Sequence, residues 1–258
     1  MKALNFVKRF LIAALPIIAF FVLWQIGSSH VPRGVISSPE KIAKAMWKAF
    51  IDPEHVLLWH TGQSLSRILR GYLLASVVGI VLGFALGTYF RSLEKLFLPF
   101  FRVCEKLNPF AIIPVFMILF GVGDKEKIAV VFWAAFWPIF FNTQEGAKSV
   151  DLSLVRSARS MGANRFKVFT GVIFPYTLPS IFTGLRLSSR VAFFMMVASE
   201  TLGAINGLGW YYAQQRIVHK LSLIYGSILF ITVLAILVNF LFVRLEKHFL
   251  VWKEAALK

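Results

Sequence analysis

The sequence predicts an all-α membrane protein with about six transmembrane helices. Three observations carry that prediction. Of the 258 residues, 58% are hydrophobic, and the mean hydropathy is +0.72. The apolar residues gather into stretches close to the roughly 20 residues a helix needs to cross a bilayer. Between these stretches lie polar, mostly basic segments. A soluble domain of this length cannot hide so much apolar surface, whereas lipid can serve as its solvent.

Taken in order, the first predicted span is 10–29, uncharged throughout and preceded by Lys2, Lys8 and Arg9. It resembles a signal peptide, but its apolar run is too long and its cleavage site poor, so it reads as a retained helix. The second is 71–90, where Gly79, Gly83 and Gly87 form a small-xxx-small ridge that lets another helix approach closely. The third is interrupted by Arg102, Glu105, Lys106, Pro109 and Pro114 and reads as a broken or kinked helix inserted mainly over 108–120. The fourth is 128–143. The fifth, 178–202, contains Arg186, Arg190 and Glu200. The sixth, 221–243, has no charge. Residues 39–50 read as an amphipathic helix lying along the membrane interface. The whole is expected to be one domain, 1–258, with a core over 60–245, an external segment over 30–70 and a cytoplasmic loop over 144–177.

The formal net charge is +16. In a soluble protein this would point to nucleic acid. Here the basic residues sit in loops, where they set topology and face anionic headgroups, and the 27 Phe lie inside the apolar runs, so no nucleic-acid partner is expected. With both termini inside, the inner segments hold 14 Lys and Arg and the two short outer loops hold 4, while 30–70 holds six against the trend. The balance predicts cytoplasmic termini and a cytoplasmic 144–177 segment. Cys104 is the single cysteine, which excludes an intrachain disulfide. His55 and His60 lack a carboxylate or thiol at ligand spacing, so no metal site is expected.

The 144–177 segment carries the strongest functional signal. Val150, Leu154, Ala158 and Met161 recur at helical spacing, Asp151 and Ser153 are N-cap types, and Gly162 is placed to end or bend the helix. Phe166, Val168 and Phe169 begin a second short helix that leads to Pro175. The prediction is helix, glycine bend, helix, with Arg156, Arg159 and Arg165 exposed.

This layout resembles the signature of binding-protein-dependent ABC permeases, Glu-Ala-Ala-x-x-x-Gly, nine residues, then Ile-x-Leu-Pro. In this chain it stands as Arg156-Ser157-Ala158, then Arg159, Ser160, Met161, Gly162, Ala163 and Asn164, and later Val172-Ile173-Phe174-Pro175. The spacing is kept, but Arg156 replaces the usual Glu, Ser157 the first Ala, Val172 the Ile and Phe174 the Leu. The resemblance continues in the stretch from Met117 to Lys125, in Phe136-Trp137-Pro138, in Gly184-Leu185-Arg186, in Ala198-Ser199-Glu200-Thr201 and in Gly207-Leu208-Gly209. Together these resemble the nitrate, sulfonate and taurine branch over roughly residues 60–245, with a departure at Glu105–Pro109.

The resemblance implies a type I ABC importer permease fold in a bacterial cytoplasmic membrane. It also implies that Arg156, Ser157, Ala158, Arg159, Met161, Gly162, Ala163, Asn164 and Pro175 form an ATPase-coupling loop. The implied partners are two ATPase subunits, a second permease copy and an external solute-binding protein. ATP and Mg would sit on the ATPase, because this chain has no Gly-x-x-x-x-Gly-Lys-Ser/Thr loop and therefore no expected cofactor or hydrolytic activity of its own. Nitrate, alkanesulfonate, taurine, bicarbonate and a neutral pyrimidine or riboflavin-like solute all remain compatible with related permeases.

Ionisable groups inside a span are costly and need partners or water. Glu200 lies about 21 Å along the helix from Arg186, so its partner must sit on another helix or be water. The candidate pathway residues are Arg190, Glu200, Arg102, Asn108 and Asn142, and paired cations such as Arg190 and Arg102 would favour an anion. The residues alone leave open a stand-alone secondary transporter or channel, although no inverted repeat or acid relay supports it. An integral-membrane enzyme or assembly scaffold is the third alternative, and no His/Asp/Glu cluster marks an enzyme.

Overall fold

The computed structural model describes residues 2–31, 35–52 and 56–249. Every element among them is helical. In chain order these are α1 (Lys2–His30), α2 (Pro39–Ile51), α3 (Val56–Phe84), α4 (Arg91–Lys106), α5 (Pro109–Phe120), α6 (Asp124–Lys148), α7 (Leu152–Ser160), α8 (Arg165–Val168), α9 (Phe174–Gly203), α10 (Leu208–Ile217) and α11 (Leu221–Phe249). Two π-helical turns interrupt the series. Ala85–Tyr89 extends α3, and Phe169–Ile173 joins α8 to α9.

Among the described residues, three helical runs are long and apolar enough to cross a membrane: Val56–Tyr89, Arg165–Gly203 and Leu221–Lys247. The pair Ser92–Lys106 and Pro109–Phe120, bent by 97°, makes a fourth if it is one span. The sequence suggested six. The difference lies partly in α6, whose 25 residues reach about 37 Å. Asp124, Lys125, Glu126 and Lys127 occupy one end of α6, and Asn142, Thr143, Gln144 and Glu145 the other. Its apolar middle is wrapped by protein rather than lipid, so composition understates its place in the bundle.

The broken third span is indeed two helices. Asn108 ends the break by capping α5, its side chain accepting from the Phe110 N–H at 3.0 Å. The second span is longer than expected. It begins at Val56, so the last part of the supposed external segment, 56–70, is helix continuous with the span, and Arg67 and Arg70 belong to it. The amphipathic 39–50 helix is present as α2. Between the fifth and sixth predicted spans, where the sequence reading places only a short outer loop, the structure has a further helix, α10. There Tyr211 is buried with Leu57 and Leu208.

The core is a three-helix unit, with α6 between α3 and α9. Tyr72, Ala75, Val131, Ala135, Ile139, Ala192 and Met196 are buried together at its centre. The glycine ridge sets the α3–α6 approach. A Cβ on Gly79 would lie 3.0 Å from the Ile139 side chain, and one on Gly83 would lie 2.7 Å from Thr143 Cβ. Gly184 plays the same part for α9, where a Cβ would lie 2.9 Å from the Pro138 carbonyl oxygen. The matching positions rise together on α3 and α6 and run opposite on α9, so α3 and α6 are parallel and α9 is antiparallel to both.

Candidate functional site

The loop joining α6 to α9 sits at one end of this three-helix unit. Asp151 opens α7, its carboxylate accepting from the Ser153 N–H at 2.8 Å. That bond holds the Asp151 carboxyl below the ordinary aspartate range. Gly162 closes α7 at φ +82°. The Ala163 N–H donates to the Ala158 carbonyl at 3.1 Å and the Gly162 N–H to that of Arg159 at 2.9 Å, the two bonds of a Schellman motif. Asn164 then caps α8 by accepting from the Lys167 N–H at 2.8 Å. The expected helix, glycine bend and helix are therefore all present, each with its own local cause. The second helix, however, is no isolated piece. Through the π-turn Phe169–Ile173 it runs without a break into α9, where Pro175 occupies the first turn.

Val150, Ala158 and Val168 are the buried residues of this loop, while Met161 is 82% and Phe166 is 73% exposed. A cavity of about 320 Å³ lies behind α7, walled by Tyr89 and Gly87 of one π-turn, Ile173 of the other, and Arg156, Arg159 and Arg165. π-Helical turns disrupt the regular hydrogen-bond ladder and recur at functional sites. Here one stands on each side of the loop.

The opposite end of the unit is locked by charge. Arg67 on α3 uses all five of its N–H groups. They go to Glu200 Oε1 at 2.7 Å, twice to Asp124 Oδ1 at 2.8 and 2.6 Å, to the Asn206 carbonyl at 3.1 Å and to Asn206 Oδ1. Glu200, with its side chain 0% exposed, also accepts from Ser64 Oγ at 2.9 and 2.8 Å and from the Gly209 N–H at 3.0 Å. Ser64 in turn accepts from the Leu208 N–H, and His60 Nδ1 from that of Gly207. A second buried pair adjoins it. Lys127 donates to Glu126 at 3.0 Å and to the Gly123 and Gly203 carbonyls, and Ser199 donates to Glu126 at 2.7 Å. Helices α3, α6 and α9 and the α9–α10 turn are tied together at this end.

The remaining candidates are dispersed. Arg102 on α4 reaches Glu105 at 3.3 Å and Glu145 at 3.1 Å and lies over the Phe141 ring at 4.0 Å. Arg190 on α9 donates to Asn239 on α11 at 3.1 Å. It borders an apolar cavity of about 260 Å³ with Phe193, Phe194 and Val238. The two arginines share no partner. Asn142 donates back to the Pro138 carbonyl at 2.8 Å within α6, at a position interrupted by that proline. Arg186 meets Glu246 at 2.9 Å. Sequence reasoning named Glu200 but not Arg67, Ser64, Asp124 or Asn206. The signal for the first two was available: His60, Ser64 and Arg67 fall on one helical face.

The family model described as binding-protein-dependent transport system inner membrane component matches residues 79–250. The nitrate import permease protein NrtB of Leptolyngbya laminosa is 32% identical over 207 residues, covering 75% of this chain and 72% of that protein. The bicarbonate transport system permease protein CmpB of Synechococcus elongatus is 29% identical over 204 residues, covering 76% and 73%. In fold, the chain is similar to the inward-facing MetNI methionine ABC transporter, with a TM-score of 0.65 at 15% identity over 77% of this chain and 98% of that one. The chain thus belongs to the binding-protein-dependent transport system inner membrane components, and is a membrane-spanning permease subunit of an ABC importer.

Proposed function

We propose that the chain pairs with a second permease copy, docks two cytoplasmic ATPase subunits through residues 144–177, and imports a small oxyanion delivered by an external binding protein. The observation that carries this is the exposed α7–Gly162–α8 unit, joined directly to α9. A closing ATPase would push α7 and α8, and the push would pass through the Phe169–Ile173 turn into α9. Because α9 is tied to α3 and α6 by Glu200 and Ser199 at its far end, the three helices would swing as one body, alternately opening each face of the paired permeases. ATP hydrolysis belongs to the ATPase. Both termini and the coupling loop lie in the cytoplasm, and the charged lock faces the outside of a bacterial inner membrane.

The anionic solute is supported by the names of the nitrate and bicarbonate relatives and by Arg190, which meets the neutral Asn239, whereas Arg102 is already countered by Glu105 and Glu145. Glu200, Asn108 and Asn142 then serve the helices rather than the solute. Gly162→Val tests the coupling reading. A Cβ there meets nothing within 4 Å, so the substitution perturbs only the left-handed backbone, by about 1–2 kcal/mol or more for a β-branched residue. ATP hydrolysis stimulated by solute-loaded binding protein should be lost, while the permease stays folded. Unchanged stimulation would reject the loop as the coupling element.

A further inference from the structure

We infer that the ATPase surface receiving this loop is acidic, with carboxylates that enter the recess behind α7. The inference rests on the docking reading above and names the chemistry of that partner. Residues 151–167 hold Arg156, Arg159, Arg165 and Lys167 against Asp151 alone, a net charge of +3 from four basic and one acidic residue. Among the described residues, no carboxylate lies within ion-pair distance of Arg156, Arg159 or Arg165. Two other basic groups at this end do have carboxylate partners, whereas Lys95 has none among the described residues. Lys148 is paired with Glu94 and Arg102 with both Glu105 and Glu145. Among the described residues the loop's arginines have no ion-pair partner, although Arg156 lies near enough to Asp151 to act on its charge.

Their placement separates two possible occupants. All three guanidinium-bearing residues wall the cavity of about 320 Å³ between α7 and the two π-turns. A plane of lipid headgroups meets convex surface, whereas a projecting Asp or Glu side chain can enter a recess of this size. Met161 and Phe166 stand out beside it and would be covered by the same partner. Guanidinium groups that lose water on docking need carboxylates at hydrogen-bonding distance, so the covering surface must supply them.

The test uses the whole importer expressed in its native cell and solubilised, with the permease tagged. ATPase retained on the permease is measured from about 0.05 to about 0.5 M salt. Three forms are compared with wild type: the triple reversal Arg156→Glu, Arg159→Glu and Arg165→Glu; the same sites as Lys; and Met161→Asp. Gel filtration checks the fold, which these exposed positions should leave intact. The expected results are retention that falls with salt in the wild type, a loss of about tenfold or more in the reversal, and substantial retention in the Lys form. If salt and reversal change nothing while Met161→Asp removes the ATPase, the surface is docked through apolar contact and the acidic partner is wrong. If Met161→Asp is also without effect, the docking reading itself fails. If the reversal keeps its ATPase but releases the permease's binding to phosphatidylglycerol vesicles, headgroups are the occupant and the inference is overturned.

Discussion

Removing Arg67 should be among the most destabilising single changes in this protein. Arg67→Met keeps most of the side-chain volume but deletes five hydrogen bonds and the countercharge of Glu200. Glu200 has no water to turn to, since its side chain is 0% exposed, whereas Asp124 is 52% exposed and can be resolvated. The cost is therefore concentrated on one carboxylate. Breaking a buried pair by removing one partner costs about 3–5 kcal/mol, a shift of roughly 150- to 5,000-fold in the unfolding equilibrium. Glu200→Gln leaves a neutral group that can still reach Ser64 and the Gly209 N–H, and should cost about 1.5–3 kcal/mol. Combined, the two changes should cost less than their sum by about 2 kcal/mol, because the stranded charge is gone. Equilibrium unfolding of purified protein in mixed micelles, followed by fluorescence of its seven Trp, measures all four corners of the cycle. A single Arg67→Met cost below about 1 kcal/mol, or strict additivity, would refute the assignment of this cluster as the lock that makes α3, α6 and α9 one body.

Other outcomes follow from the same geometry. Gly83→Ala puts a Cβ 2.7 Å from Thr143 Cβ and 3.0 Å from the Phe140 carbonyl oxygen, so it should cost about 1–3 kcal/mol. Gly171→Ala, whose Cβ meets nothing within 4 Å, should be nearly silent in the same unfolding assay. The Asp151 carboxyl is depressed in the folded chain by the Ser153 N–H. Its contribution to the α7 start is therefore complete above the ordinary aspartate pKa of about 3.9 and disappears as pH falls through the lower folded value. Hydrogen-exchange protection of α7 should be greater in wild type than in Asp151→Ala near neutral pH, and the two should converge in acid. Equal protection at neutral pH would remove the cap from the account. Arg190→Gln should reduce nitrate- or bicarbonate-dependent uptake by about tenfold without changing ATPase retention; undiminished uptake of both anions would take Arg190 out of the pathway.

Much of this architecture was legible because membrane helices announce themselves through length and apolarity. The glycine ridge, the amphipathic helix α2, the break before Asn108 and the Asp151 and Gly162 caps were all local signals, and each is where its local physics puts it. What hydropathy could not supply was the identity of a buried charge. Arg67 counted as one of six basic residues on the wrong side of the membrane, yet it belongs to a helix and is satisfied by groups 57 to 139 positions away in sequence. A residue whose countercharges arrive only with the tertiary fold looks the same as one in a solvated loop. The extent of α3 was hidden for the same reason, since His60, Ser64 and Arg67 make its first turns look polar. Helix α10 escaped because it is short and has a mixed face, with burial set by Leu57 rather than by its own pattern. The run from α8 into α9 was missed because a π-turn leaves no sequence period of its own.

The central claim is that residues 144–177 face the cytoplasm and carry the ATPase. Met161→Cys tests it most directly, in a background where the buried Cys104 is replaced by Ala. Residue 161 is 82% exposed, at the tip between α7 and α8. In intact cells an impermeant maleimide should leave it unlabelled, while in opened membranes a short bifunctional maleimide should link it to a cysteine placed on the ATPase subunit. Labelling from outside intact cells, or failure to link to any ATPase cysteine while the importer still hydrolyses ATP on demand, would contradict the account.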